Sequence, residues 1–141
     1  MYDILHQFRI ASQAQKVFDA FTSPAQLNNW WPLRSDGQPK MGEMYTLYFG
    51  PEYDWRAEVI HVVPGKEFTW KMTQAMDDWM NTEVGIRLKA ENSGTTVDFF
   101  HTGWREAGDH YRISNYCWGT LLNGLKMWVE KGMIVPFEER N

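Results

Sequence analysis

The groups in this sequence most able to do chemistry are four histidines, one cysteine and an adjacent acidic pair. His101 has the strongest claim. In "TTVDFFHTG" it alternates with Val97 and Phe99, so a strand would turn all three toward one interior. A neutral imidazole placed there can orient a carbonyl or take up a proton. No carboxylate or nucleophile stands at a motif spacing from it, so a histidine bonded to backbone near a strand end is the competing reading. His61, in "WRAEVIHVV", is expected on the same inner face, with Glu83 in the neighbouring part of the sheet. Metal ligation would need such groups to converge, but the chain has no His-x-x-x-His and no cysteine pair. His6 and His110 read as strand and helix-start residues. Asp77 and Asp78 would point to opposite faces of a strand, and in a loop both would stay solvated. Cys117 lies among apolar neighbours and reads as a buried, inert thiol. No Gly-x-Ser-x-Gly elbow and no phosphate-cradling glycine loop occurs. The sequence therefore names no catalytic residue, metal or cofactor, and the balance is against an enzyme.

The aromatic residues are the better lead. Eight Trp, eight Phe and six Tyr make up 16% of the 141 residues, which implies a wide core or a lined cavity. Tyr45, Trp55, Trp70, Phe99 and Trp118 should face one interior from different elements, joined by Ile86 and Leu122. Met72 can adapt to irregular space among them. In "NNWWP" the adjacent Trp30 and Trp31 fork around one turn. Trp30 is assigned to the cavity side and Trp31 to the anchor.

These rings must be positioned by elements, and the periodicity supplies them. A strand runs from about Asp3 to Ile10, with Ile4, His6, Phe8 and Ile10 on one face. "SQAQ" then opens a helix carrying Val17, Phe18 and Phe21, with Ser12 as cap and Gln15 returning a bond. "SPAQ" repeats the device with Ser23, Pro24 and Gln26, and Pro32 stops this second, short helix. A run of about five strands follows. It is marked by Tyr45/Leu47/Phe49, Trp55/Ala57/Val59/His61, Phe68/Trp70/Met72, Val84/Ile86/Leu88 and Val97/Phe99/His101. From Asp109 to Lys131 runs the longest helical pattern, with Tyr111, Ser114, Trp118, Leu121, Leu122, Leu125, Trp128 and Val129 on one stripe and Gly132 as its stop. The tail "MIVPFEERN" is expected to lie along the surface or fray. Strands with one apolar face need a cover. The fold class is therefore α+β: a curved antiparallel sheet wrapped around a long C-terminal helix, with two short helices after the first strand, in one domain over 1–141.

The net charge of −4, with basic residues scattered singly, gives no footprint for nucleic acid. No apolar run approaches membrane-spanning length, and "MYDILHQF" lacks the regions of a signal peptide. With a single cysteine, a cytoplasmic location is expected.

The pieces "QAQKVFDAFTSPAQLNNWW", "WRAEVIHVVPGKEFTW", "GTTVDFFHTGW" and "CWGTLLNGLKMWVEKG" resemble, in order, the SRPBCC or START-like superfamily with its helix-grip fold. More closely, the chain is similar to the group named after the C-terminal domain of the heat-shock-protein-90 ATPase activator. The resemblance covers nearly the whole chain. It implies a cavity under the long helix that in many members takes lipids or other apolar compounds. It also places a histidine at His101, before the Thr-Gly-aromatic turn. It carries no shared catalytic motif. The full eukaryotic activator has a further N-terminal domain that makes much of its chaperone contact, and this chain has no room for one. The leading expectation is therefore a cytoplasmic binder of a small, largely apolar molecule, with His101 as a polar handle. The alternatives are an interaction module for a chaperone in the stress response, or a cavity enzyme such as a cyclase or hydrolase.

Overall fold

The computed structural model describes residues 1–140. Its strands are β1 (Tyr2–Ile10), β2 (Arg34–Asp36), β3 (Met44–Tyr48), β4 (Asp54–Val63), β5 (Glu67–Gln74), β6 (Glu83–Glu91) and β7 (Gly94–Trp104). The helices are α1 (Ala14–Thr22), α2 (Pro24–Leu27) and α3 (Asp109–Lys131), and a 3-10 turn spans Phe137–Glu139. The strands form one antiparallel sheet in the order β1-β7-β6-β5-β4-β3-β2. Short connections produce the meander from β2 to β7, and β1 returns beside β7. This is the helix-grip α+β fold.

Register explains the core. Phe68 faces Ile86 across β5–β6, Ile86 faces Phe99 across β6–β7, and Phe99 faces His6 across β7–β1. One layer of rings and branched side chains thus crosses the concave face, and α3 covers it with Trp118, Leu121, Leu122 and Leu125. The helix ends at Gly132, whose φ of 65° is the left-handed conformation glycine adopts cheaply. Within α3, Gly124 allows a close approach. A Cβ there would stand 3.2 Å from Val135 and 3.6 Å from Trp30.

Several local expectations need correction. Strand β2 was missed because "RSD" has no apolar alternation, and only its pairing with β3 makes it a strand. Ser12 is not the cap of α1: its carbonyl accepts a bond from Thr95, Gln13 takes the cap position, and Gln15 bonds Asp19 instead. Ser23 and Pro24 do occupy the first positions of α2, but no side chain closes a box. The Gln26 side chain instead accepts a bond from the indole of Trp128. His61 was expected inward. A register shift between Val59 and His61 turns it to the outer face, where its ring, half exposed, donates to Glu67 at 2.9 Å. Up to Arg140 the tail does not fray: Val135 N–H bonds the Asn29 carbonyl and Arg140 is only 6% exposed, while Asn141 lies outside the described residues.

Candidate functional site

At one end of the interior the close packing stops, leaving a cavity of about 350 Å³. Its walls come from separate parts of the chain. Helix α3 contributes His110, Ser114, Cys117, Trp118 and Leu121, whose three- and four-residue spacing puts them on one stripe, with Ile113 at the rim. Phe49 and Tyr53 come from the turn between β3 and β4, Trp55 from the start of β4, and Met76 and Trp79 from the loop between β5 and β6. Trp31 closes the floor, and Phe137 and Arg140 enter from the tail.

Trp79 is the central wall. Its ring lies 4.7 Å from that of Trp55 and stacks 6.0 Å from Trp118 at 22°. His110 stacks on it at 6.2 Å, while the His110 Nδ1 bonds the Asp78 carboxylate at 2.7 Å. The indole of Trp79 donates to Ser114 Oγ at 3.3 Å. The loop carrying it is tied across its base by paired backbone bonds between Met72 and the Asn81–Thr82 pair.

Behind this wall stands His101, with no exposed surface. The Trp118 indole N–H donates to its Nδ1 at 3.1 Å, so the ring proton sits on Nε2. That proton is given to Thr82 Oγ1 at 2.8 Å, and the Thr82 hydroxyl donates in turn to the Trp79 carbonyl at 2.6 Å. Burial, with a smaller contribution from nearby His110, pushes its pKa down to about 3. His101 is therefore a neutral spacer that locks the two tryptophan walls together. It is not on the cavity surface, and both ring nitrogens are used by the protein.

Of the residues expected to line a site, Trp55 and Trp118 reach the cavity. Tyr45, Trp70, Met72, Ile86, Phe99 and Leu122 are buried in the packed core behind it. Tyr45 donates its hydroxyl to the Thr22 carbonyl at 2.6 Å, and burial raises its pKa well above the ordinary phenol value. The assignment within "NNWWP" is reversed. Helix α2 ends at Leu27, and the following turn sends Trp30 into the core, where its indole donates to the Ala20 carbonyl at 3.0 Å. Trp31 faces the cavity and lies 4.9 Å from Trp118. Cys117 is half-buried at the cavity edge rather than sealed, and burial raises its thiol pKa.

Trp79 and Arg140 are the most informative of the site residues that sequence reasoning missed, Tyr53, Met76, Ile113 and Phe137 being others. A large ring inside the polar "DDW" loop was a usable signal, because loops seldom carry one unless it docks. Arg140 gave none.

Known proteins can now be set beside this geometry. The family model described as Activator of Hsp90 ATPase homolog 1-like protein matches residues 11–130. The chain belongs to this family. Among solved structures, the solution structure of the Aha1 dimer from Colwellia psychrerythraea is 28% identical, with a TM-score of 0.85 over 94% of this chain and 98% of that one. A protein from Staphylococcus saprophyticus is 18% identical, with a TM-score of 0.78 over 96% of each chain. CalU16 from Micromonospora echinospora is 21% identical, with a TM-score of 0.75 over 98% of this chain and 82% of that one. The last two share the fold. No curated protein sequence matches the chain. No helix among the described residues is long and apolar enough to cross a membrane.

Proposed function

We propose that this protein binds a small, largely apolar compound, aromatic or lipid-like, in the cavity between the end of the sheet and α3, within one START-like domain working in the cytoplasm. The observation that carries this is the hollow itself: about 350 Å³ walled mainly by aromatic rings, within the roughly 300–1,000 Å³ usual for small-molecule sites. Trp31, Trp55, Trp79 and Trp118 supply flat apolar surface to a guest. Trp30, Tyr45, Trp70, Met72, Ile86, Phe99 and Leu122 support them from behind, and His101 fixes the wall rather than touching the ligand. No metal or cofactor is part of this reading, and no residue is assigned a catalytic role.

Native mass spectrometry of the purified protein, followed by extraction, tests it. A copurifying small molecule, or saturable quenching of tryptophan fluorescence by compounds from an aromatic and lipid panel, is the expected result. An empty protein that ignores the whole panel overturns the proposal.

Family membership and the Aha1 neighbour favour a second reading, a chaperone co-factor. It requires direct binding to the cell's heat-shock-protein-90 homologue in a pull-down between purified proteins, and fails without it.

A further inference from the structure

Arg140 gives the cavity a sign. It is only 6% exposed although it directly follows the 3-10 turn Phe137–Glu139 near the end of the chain. The guanidinium is already oriented: Nε donates to the Val135 carbonyl at 2.8 Å, and Nη1 to the carbonyls of Pro32 at 2.8 Å and Trp31 at 3.3 Å. All three partners are neutral backbone groups, and among the described residues Nη2 has no hydrogen-bond partner. No carboxylate among them forms an ion pair with it: burial lowers its pKa, and the nearby Glu138 offsets this only in part. A carbonyl tether holds a guanidinium in place without cancelling its charge. An uncancelled charge at an apolar, part-enclosed site is strongly felt.

The rest of the lining sharpens this. Among the cavity residues there is no aspartate or glutamate. The other basic group, His110, already has Asp78 at 2.7 Å. Arg140 is therefore the one lining residue with a permanent charge and no counter-ion among the described residues.

Building on the proposed cavity function, we propose that the preferred guest is an organic anion: an aromatic body between the tryptophans, with a carboxylate held by the Arg140 guanidinium. Charge-assisted bonds from a preoriented guanidinium discriminate strongly between a carboxylate and its neutral amide. They also disfavour a cation of the same shape. Tethering the tail to the Trp31–Pro32 corner is the purely structural role for Arg140, and that role confers no such ranking.

The test uses three probes of one shape: 2-naphthoate, 2-naphthamide and 2-naphthylmethylammonium. Each is titrated into the intact protein at pH 7, with tryptophan fluorescence as readout. In the wild type, naphthoate should bind at least tenfold tighter than naphthamide, and the ammonium at least tenfold weaker. Arg140→Met should bring naphthoate and naphthamide within about twofold of each other while leaving naphthamide affinity nearly unchanged. Should that variant not fold, the wild-type ranking decides alone. Naphthamide binding equal to or tighter than naphthoate sinks the anion proposal and leaves the cavity reading standing. If none of the three probes binds, the anion proposal fails, and the wider aromatic and lipid panel then decides the cavity reading by itself. A preference for naphthoate that survives in folded Arg140→Met also overturns the role given to Arg140.

Discussion

The two ends of the interior use the same kinds of residue and reach opposite results. Beneath α1, Phe21 stacks on Trp70 at 5.3 Å, and Trp70 meets Phe68 at 4.8 Å and Tyr45 at 5.1 Å, with no room left. Beneath the first half of α3, Trp31, Trp55, Trp79 and Trp118 approach one another almost as closely, yet surround a hollow. The difference lies in the cover. Helix α1 drives Val17, Phe18, Ala20 and Phe21 into the closed end from one rigid element. The other end has α3 on one side only, and a loop and the tail close the rest with single rings and no packed layer beneath them. Aromatic content sets how much surface must be buried. The continuity of the covering element decides whether the burial is complete.

That contrast can be broken by experiment. The largest effect is expected at the closed end: Trp70→Ala should lower stability by about 3–5 kcal/mol in urea denaturation, because its neighbours cannot collapse into the space. Next comes acid. His101 is held neutral with a pKa of about 3 against an ordinary 6.5, so below pH 6.5 the unfolded chain binds a proton the folded chain refuses. Its contribution is fully present above about pH 6.5 and is lost as pH falls toward 3, at up to about 1.4 kcal/mol per pH unit. Urea midpoints measured from pH 8 to pH 4 should fall on that schedule and flatten in His101→Gln. At the open end Trp55→Ala should cost only about 1–2 kcal/mol, its ring being partly exposed already. It should still weaken 2-naphthamide binding several-fold. If Trp55→Ala proves as destabilising as Trp70→Ala, the two ends do not differ as described. The smallest stability change is expected for Cys117→Phe, within about 0.5 kcal/mol, since the new ring enters existing space. Naphthamide binding should nevertheless drop by tenfold or more.

Sequence patterns were informative wherever an element kept its period. The alternation Val97, Phe99, His101 placed all three inward, and the α3 stripe identified the helix face that covers the sheet. The pattern failed at His61, where a bulge reverses the face without leaving a mark in residue type. It also failed at Trp30 and Trp31, which lie in the helical turn just beyond α2, where the Trp31 N–H bonds the Leu27 carbonyl and residue type does not mark which ring faces the core. The candidate site was legible only in part for the same reason. Trp55 and Trp118 belong to regular elements, whereas Trp79 and Arg140 are placed by contacts distant in sequence that no local period encodes.

The stacked indoles of Trp79 and Trp118, fixed at 22° through His101, have a spectroscopic consequence. Transition dipoles held this close at a fixed angle couple, so the pair should contribute a signed exciton band to the near-ultraviolet circular dichroism. Any occupant that prises the rings apart, or any acid that dissolves the imidazole bridge between them, should erase that band. The cavity thus carries its own chiral optical gauge.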